Sequence, residues 1–101
     1  MTLEEFERAA GRTVNPKLNE SERLLDAAAG LAEEAGEILG LVRKHAYQSR
    51  ALDMEKLTLE LGDALWCLTM TARCAGMTLD QVAAANVAKL RQRYPEGYRD
   101  R

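Results

Sequence analysis

The chain of 101 residues is 47% hydrophobic and 30% charged with a net charge of −2, a balance typical of one small globular domain that disfavours disorder and binding to nucleic-acid polymers. The polar first residues are not expected to act as a signal peptide, and no apolar run approaches the roughly 20 residues of a membrane span. Cys67 and Cys74 lie two turns apart on one predicted helix, roughly 10 Å, which is too far for a disulfide and suits a reducing cytoplasm.

Helical periodicity runs through almost the whole sequence, and strand signals are nearly absent. Residues 3–10 are predicted to form a short first helix, and Pro16 places residues 12–19 in a loop. A first long helix is predicted from about residue 21 to 44. The polar stretch 45–53 is expected to connect it to the next helix.

A second long helix is predicted over residues 54–75, with Gly76 placed to end it. The stretch TLDQ (78–81) has the form of a capping box and predicts the start of a third main helix. That helix should reach about Tyr94, because Pro95 disfavours continuation. The fold class is therefore expected to be all-α.

Each long helix carries a pair of acids on one face. Glu60 and Asp63 lie three residues apart, with apolar residues on both sides, so we expect them to point inward. Glu34 and Glu37 repeat this arrangement on the first long helix, with Glu33 beside them. Because a short connector favours antiparallel packing, the two pairs should face each other.

Four carboxylates in a partly buried site repel one another and are costly to desolvate. A hard divalent cation removes that cost, and magnesium suits a site in which all ligands are oxygens. Either pair alone would be typical of a solvated helix face. A di-iron site is excluded, because it needs a Glu-x-x-His motif on each of two helices and His45, in the predicted connector, is the only histidine.

Gly36 and Gly40 lie near the carboxylate side of the first long helix, with Gly30 not far off. Small residues there permit close approach of a ligand or a second backbone, and simple helix packing explains them equally well. On the second long helix Trp66, Met70 and Leu59 are left on the far side of the apolar arc. Because a domain this small buries little surface, we expect a homo-oligomer that covers them.

Basic residues on the third main helix are candidates for phosphate contacts. Asn86, Lys89 and Arg93 share one face; Lys89 and Arg93 suit phosphate, and Asn86 suits a base edge or a sugar hydroxyl. An ordinary basic helix end that complements the helix dipole is the alternative. Lys44 and Arg12 are weaker candidates.

Trp66 is the lone tryptophan of the chain. It is a candidate for stacking on a base. A role in the core or at a subunit interface is favoured, because tryptophan is mostly buried.

Together these motifs resemble the MazG-like, all-α nucleoside triphosphate pyrophosphohydrolases. EEAGE (33–37) precedes ELGD (60–63), with RT (12–13) before them and ANVAKLRQRYPEGY (85–98) after them, in the order typical of short single-domain members. The resemblance covers roughly residues 10–98, so the whole chain, 1–101, is expected to be one domain. It implies a helical bundle of two long antiparallel helices plus a shorter C-terminal helix, completed in a homodimer or homotetramer.

The resemblance also implies a reaction and a site. The reaction is hydrolysis of a (d)NTP to the monophosphate and pyrophosphate, as in clearance of unwanted nucleotides, with Mg²⁺ as cofactor and Mn²⁺ as a substitute. By motif position the metal ligands would be Glu34, Glu37, Glu60 and Asp63, and Glu33 would orient or deprotonate the attacking water. Many relatives have two lysines where this chain has Lys44 and His45, which puts a phosphate contact at His45 in doubt.

Two other classes of function stay open at this point. One is a dUTPase-like or phosphoribosyl-ATP-cleaving relative in the same superfamily. The other is a helical binding module whose acids hold no metal. The sequence does not distinguish the preferred base and sugar, a dimer from a tetramer, or the number of metal ions.

Overall fold

The computed structural model describes residues 1–100 and contains four helices within that range. They are α1 (Leu3–Gly11), α2 (Glu20–Tyr47), α3 (Met54–Cys74) and α4 (Leu79–Arg93). No β-strand occurs in the described range. The expected all-α class is therefore confirmed.

Side-chain caps explain where the helices begin. Thr2, Asn19 and Thr78 each accept a hydrogen bond from the backbone N–H three residues on. The Glu or Gln side chain at that position accepts a second one from the backbone N–H of the cap residue. Asp53 caps α3 by accepting from the N–H of Lys56 at 3.0 Å. These contacts satisfy N–H groups that the first helical turn leaves unpaired.

The connector between the long helices is shorter than predicted. Helix α2 continues to Tyr47, so His45 lies in the helix and not in the connector. The reason is local, because no Gly or Pro interrupts the pattern until Ser49 adopts a φ of 52°. The Nδ1 atom of His45 is 2.7 Å from the carbonyl oxygen of Arg50, which ties the connector back to the helix end. The turn after α3 contains Gly76 at a φ of 80°, as its position predicted.

Helices α2 and α3 form the main packing unit. A Cβ atom added at Gly30 would lie 2.8 Å from the Sγ atom of Cys67, so the backbone of α2 approaches α3 closely there. One buried cluster includes Ala27 and Met70, while Glu37 neighbours Glu60. Later residues of α2 therefore meet earlier residues of α3, and the two helices run in opposite directions.

Helix α1 packs against the C-terminal end of α3 and the N-terminal end of α4. The Arg73 guanidinium donates to the carbonyl oxygen of Glu7 at 2.7 Å, and the Glu7 carboxylate accepts from the N–H of Leu79 at 2.6 Å. Arg73 lies against Gly11, where any side chain would collide with the guanidinium. These polar contacts fix α1 across the start of α4.

Of the three α3 side chains that were expected to be uncovered in a single chain, Trp66 and Met70 belong to the interior. Met70 is buried and Trp66 is half-buried against the same core cluster, because α1 and loop 12–19 cover that side of α3. Leu59 is 65% exposed, as expected. Other large apolar side chains of the two long helices are also exposed, among them Leu25 and Leu39. None of the described helices is long and apolar enough to cross a membrane.

Candidate metal centre

Three carboxylates from the two long helices come together. Glu34, Glu37 and Glu60 each place a carboxylate oxygen so that all three oxygens lie within 4.8 Å of one another. The spacing of three residues puts Glu34 and Glu37 on one face of α2, and the packing of α2 on α3 brings Glu60 to them. We call these three residues the acid trio.

The charges of the acid trio are poorly compensated. A hydrogen bond with Glu60 and the negative charge of Glu60 raise the pKa of Glu37, and nearby Lys56 opposes this shift. A hydrogen bond with Glu34 raises the pKa of Glu60, with desolvation and the charge of Asp63 adding to it. The Oε2 atom of Glu34 is buried without a hydrogen-bond partner in residues 1–100. The trio therefore concentrates negative charge, and a bound cation would relieve the repulsion.

The other two predicted acids lie beside the trio. Asp63 is exposed, contrary to the expectation that it points inward, and its oxygens are outside the trio. It is nevertheless near enough for its charge to raise the pKa of both Glu37 and Glu60. Glu33 is exposed, and its charge is one of those that raise the pKa of the Cys67 thiol, after the larger effect of burial.

The donor set of the trio fits a hard divalent cation. All its donor atoms are carboxylate oxygens, and Glu34 also carries a buried oxygen, Oε2, that has no hydrogen-bond partner in residues 1–100. Such oxygens suit Mg²⁺ or Mn²⁺, whereas burial raises the pKa of the Cys67 thiol and so disfavours the thiolate that a softer metal requires. The residues present therefore fit magnesium.

A lysine that sequence reasoning missed lies next to the trio. Lys56 lines an open cavity of about 330 Å³ together with Lys44, Glu37 and Glu60. Its position four residues before Glu60, one helical turn away on the same face, was the available signal. Lys44, expected only as a weaker candidate, borders the same cavity.

The candidates on α4 are not brought to the acid trio within one chain. Asn86, Lys89 and Arg93 are exposed, and α4 packs on α1 and α3 without contacting α2 in the described range. The Arg93 guanidinium lies 5.6 Å from the ring centre of Tyr94. Arg12 follows α1 directly, and its side chain is exposed.

Trp66 connects α3 to the loop before α2. Its indole N–H donates to the hydroxyl of Thr13 at 2.8 Å, and the side chain packs against the buried core. It also lines a cavity of about 260 Å³ beneath loop 12–19. The favoured core role agrees with this placement, while base stacking stays a prediction.

Of the three glycines predicted to permit a close approach, Gly30 is the one that does so in the single chain. A Cβ atom at Gly36 or Gly40 would meet nothing within 4 Å in the single chain, whereas one at Gly30 would meet Cys67. Gly40 instead borders the open cavity that Lys56 lines.

Comparison with known proteins gives one match. The family model for the MazG nucleotide pyrophosphohydrolase domain matches residues 22–98 and so spans both acid-bearing helices and α4. Neither the curated proteins nor the solved structures contain a match to this chain. The match covers most of the sequence and includes the acid trio, and the chain therefore belongs to the MazG nucleotide pyrophosphohydrolase domain family.

Proposed function

We propose that this protein hydrolyses a (d)NTP to the (d)NMP and pyrophosphate, in a reaction that depends on Mg²⁺ and accepts Mn²⁺. Family membership supports the reaction class. The observation that carries the metal requirement is the acid trio, which places one carboxylate oxygen from each residue within 4.8 Å of the others. Glu34, Glu37, Glu60 and Asp63 would hold the metal.

The residues around the trio divide the remaining tasks. Mg²⁺, when bound, would neutralise the triphosphate oxygens and activate water. Lys56 and Lys44, on the side of Glu37 and Glu60, would contact the outer phosphates. Glu33, exposed beside the trio, is proposed to orient the attacking water or take its proton as the bond between the α and β phosphates breaks.

We propose further that the working protein is a homodimer or homotetramer. Leu25 is 72% exposed, Leu39 56% and Leu59 65%, which is more apolar surface than a small monomer usually leaves in water. A second chain would cover these side chains. It would also allow Asn86, Lys89 and Arg93 of one chain to approach the trio of another. Light scattering at micromolar concentration tests this, and a monomer would contradict it.

The direct test of the reaction is a substrate panel. The protein is incubated with NTPs and dNTPs, including dUTP, and with phosphoribosyl-ATP, with Mg²⁺ or with excess EDTA, and monophosphate and pyrophosphate are measured. We expect pyrophosphate release only with the metal, because the charged trio repels an unneutralised triphosphate. Release that persists in EDTA would refute the mechanism, and no release from any substrate would favour a binding module.

A matched pair of variants distinguishes the loss of a trio carboxylate from the loss of any acidic side chain on α3. Glu60→Gln removes a member of the trio, whereas Glu55→Gln removes an exposed acid in the first turn of the same helix. We expect Glu60→Gln to lose activity and Glu55→Gln to keep it. Equal activity of the two variants would refute the assignment of the trio.

A further inference from the structure

One half of helix α2 is an apolar surface that no other helix of the chain covers. Among the four described helices, only α3 packs against α2. Every charged residue of α2 between positions 24 and 42 lies within one arc of about 100°, at 3.6 residues per turn. These residues are Asp26, Glu33, Glu34 and Glu37. The opposite half carries no polar side chain over about five turns, which is not typical of a helix face left in water.

This surface has a groove at one end and a protruding side chain at the other. The groove has a volume of about 510 Å³ and lies at the C-terminal end of α2, where Leu39, Val42, Arg43, Ala46 and Tyr47 line it. Leu25, at the other end, is 72% exposed. It precedes Leu39 by close to four turns, so the two leucines lie on one side of the helix about 21 Å apart. A groove and a protrusion on the same surface can fill each other in a two-fold symmetric pair.

The pattern of this surface is the same in both directions from Ala32. Leu25 and Leu39 lie seven residues before and after Ala32, and only Ala or Gly occupies positions 28, 29, 35 and 36 between them. All of these residues are exposed. Two antiparallel copies of α2 that cross at Ala32 would therefore place small side chains where the backbones come closest, and Leu25 of each copy at the groove of the other. Alanine at position 36 would preserve this pattern.

The charges at the two ends of α2 favour an antiparallel pair. The first turn contains Glu20 and Glu22, whereas Arg43 and Lys44 lie near the C-terminal end. Antiparallel copies set an acidic end beside a basic end twice, while parallel copies would set like charges side by side. The trio residues of α2 belong to the charged arc, so such a pair leaves both acid trios uncovered.

We infer that two copies of this chain associate through this surface, with antiparallel α2 helices that cross at Ala32 and with Leu25 of each copy in the groove of the other. A different protein would need no pattern that is symmetric about one residue, whereas a second copy requires it. This inference rests on the homo-oligomer proposed above, which does not specify the surface in contact. It is independent of the reaction.

Position 32 gives the direct test, because a residue on a two-fold axis meets its own copy. Where small residues let two helix axes come within about 8 Å, facing Cβ atoms lie close enough for a disulfide. Ala32→Cys is made in a Cys74→Ser background, since Cys67 is buried and Cys74 is half-buried. Under glutathione-buffered oxidation we expect most of this variant to become a covalent dimer on a non-reducing gel.

The control for the crosslink is Glu55→Cys in the same background, at an exposed position in the first turn of α3. It should stay largely monomeric on the gel. Little crosslinking at position 32, or as much at position 55, would overturn the inference.

A substitution at the protruding leucine tests the fit to the groove. Leu25→Asp should raise the dissociation constant about 100-fold or more in sedimentation at several concentrations, because each pair contains the change twice. Combined with Ala32→Cys, it should also reduce the crosslink strongly. Leu59→Asp changes a leucine of similar exposure, 65%, that lies on α3, and should leave the crosslink at position 32 unchanged. Circular dichroism checks that the variants fold, and an unchanged dissociation constant in folded Leu25→Asp would contradict the inference.

Light scattering of the wild type separates the possible failures. A monomer would overturn both the proposed oligomer and this surface. An oligomer that shows neither the crosslink at position 32 nor an effect of Leu25→Asp would overturn this surface alone. Neither result bears on the proposed reaction, which the substrate panel decides.

Discussion

Gly30 is predicted to set the distance between the two acid-bearing helices. An added Cβ atom would lie 2.8 Å from Cys67 Sγ, closer than real Cβ contacts, but 3.9 Å from Cys67 Cβ, an ordinary contact. Cys67 is buried, so its sulfur can move only by leaving its rotamer or by separating α2 from α3. Gly30→Ala should therefore strain the seam that holds the acid trio.

The magnitude follows from two opposing terms. Replacing a helical glycine with alanine gains about 1 kcal/mol in helix propensity, while overpacking a close contact costs about 1–3 kcal/mol. Gly36→Ala is the matched control, because its Cβ would meet nothing within 4 Å in the single chain. The free energy of unfolding of Gly30→Ala should lie about 1–3 kcal/mol below that of Gly36→Ala, which corresponds to about 4–8 °C in Tm per kcal/mol.

Urea and thermal unfolding at one fixed protein concentration measure the difference, because an oligomer's Tm depends on concentration. The double variant Gly30→Ala/Cys67→Ala should relieve the strain, since removing the sulfur leaves only the 3.9 Å contact between the two Cβ atoms. Calorimetric titration with Mg²⁺ should show weaker binding by Gly30→Ala than by Gly36→Ala. Equal stability of the two alanine variants, or a double variant with no coupling, would refute the reasoning.

The remaining predictions concern the charged groups. The folded-state pKa values of Glu37 and Glu60 lie above the ordinary value of 4.5, so the free energy of unfolding of the metal-free protein should fall as pH rises from 4.5 through the raised values. Unfolding measured with saturating Mg²⁺, or in Glu60→Gln, should show a smaller fall over the same pH range. Glu37→Gln and Asp63→Asn should each abolish turnover without loss of helicity by circular dichroism, and near-normal turnover in both would remove the metal assignment. Lys56→Ala should lower kcat/KM by about 10- to 100-fold with little change in Tm, as expected for a lost phosphate contact. Lys89→Ala should lower kcat/KM in the same way only if α4 of a partner chain reaches the trio, and Lys89→Arg should recover part of that loss. Unchanged kinetics with a lower Tm would make Lys89 a structural residue.

Local features of this protein were predictable from the sequence alone. The capping box at Thr78 and the turn at Gly76 each depend on residues within four positions of each other, so these side chains and their backbone suffice to define helix ends. The pairing of Glu34 with Glu37 on one face follows from helical periodicity in the same way. That is why the all-α class and the acid pairs could be recognised without coordinates.

Long-range features required the tertiary structure. Periodicity shows which residues share a face of a helix, but it does not say how that face is rotated or how closely another helix approaches it. Only the packing of α2 on α3 singled out Gly30 among the glycines of α2 as the one in close contact. The same packing placed Lys56 beside Glu37. The cover formed by α1 and loop 12–19 decided that Met70 is buried and that Trp66 meets Thr13, a residue 53 positions away. Such contacts depend on loop paths and on the summed shape of many side chains, which no local pattern encodes.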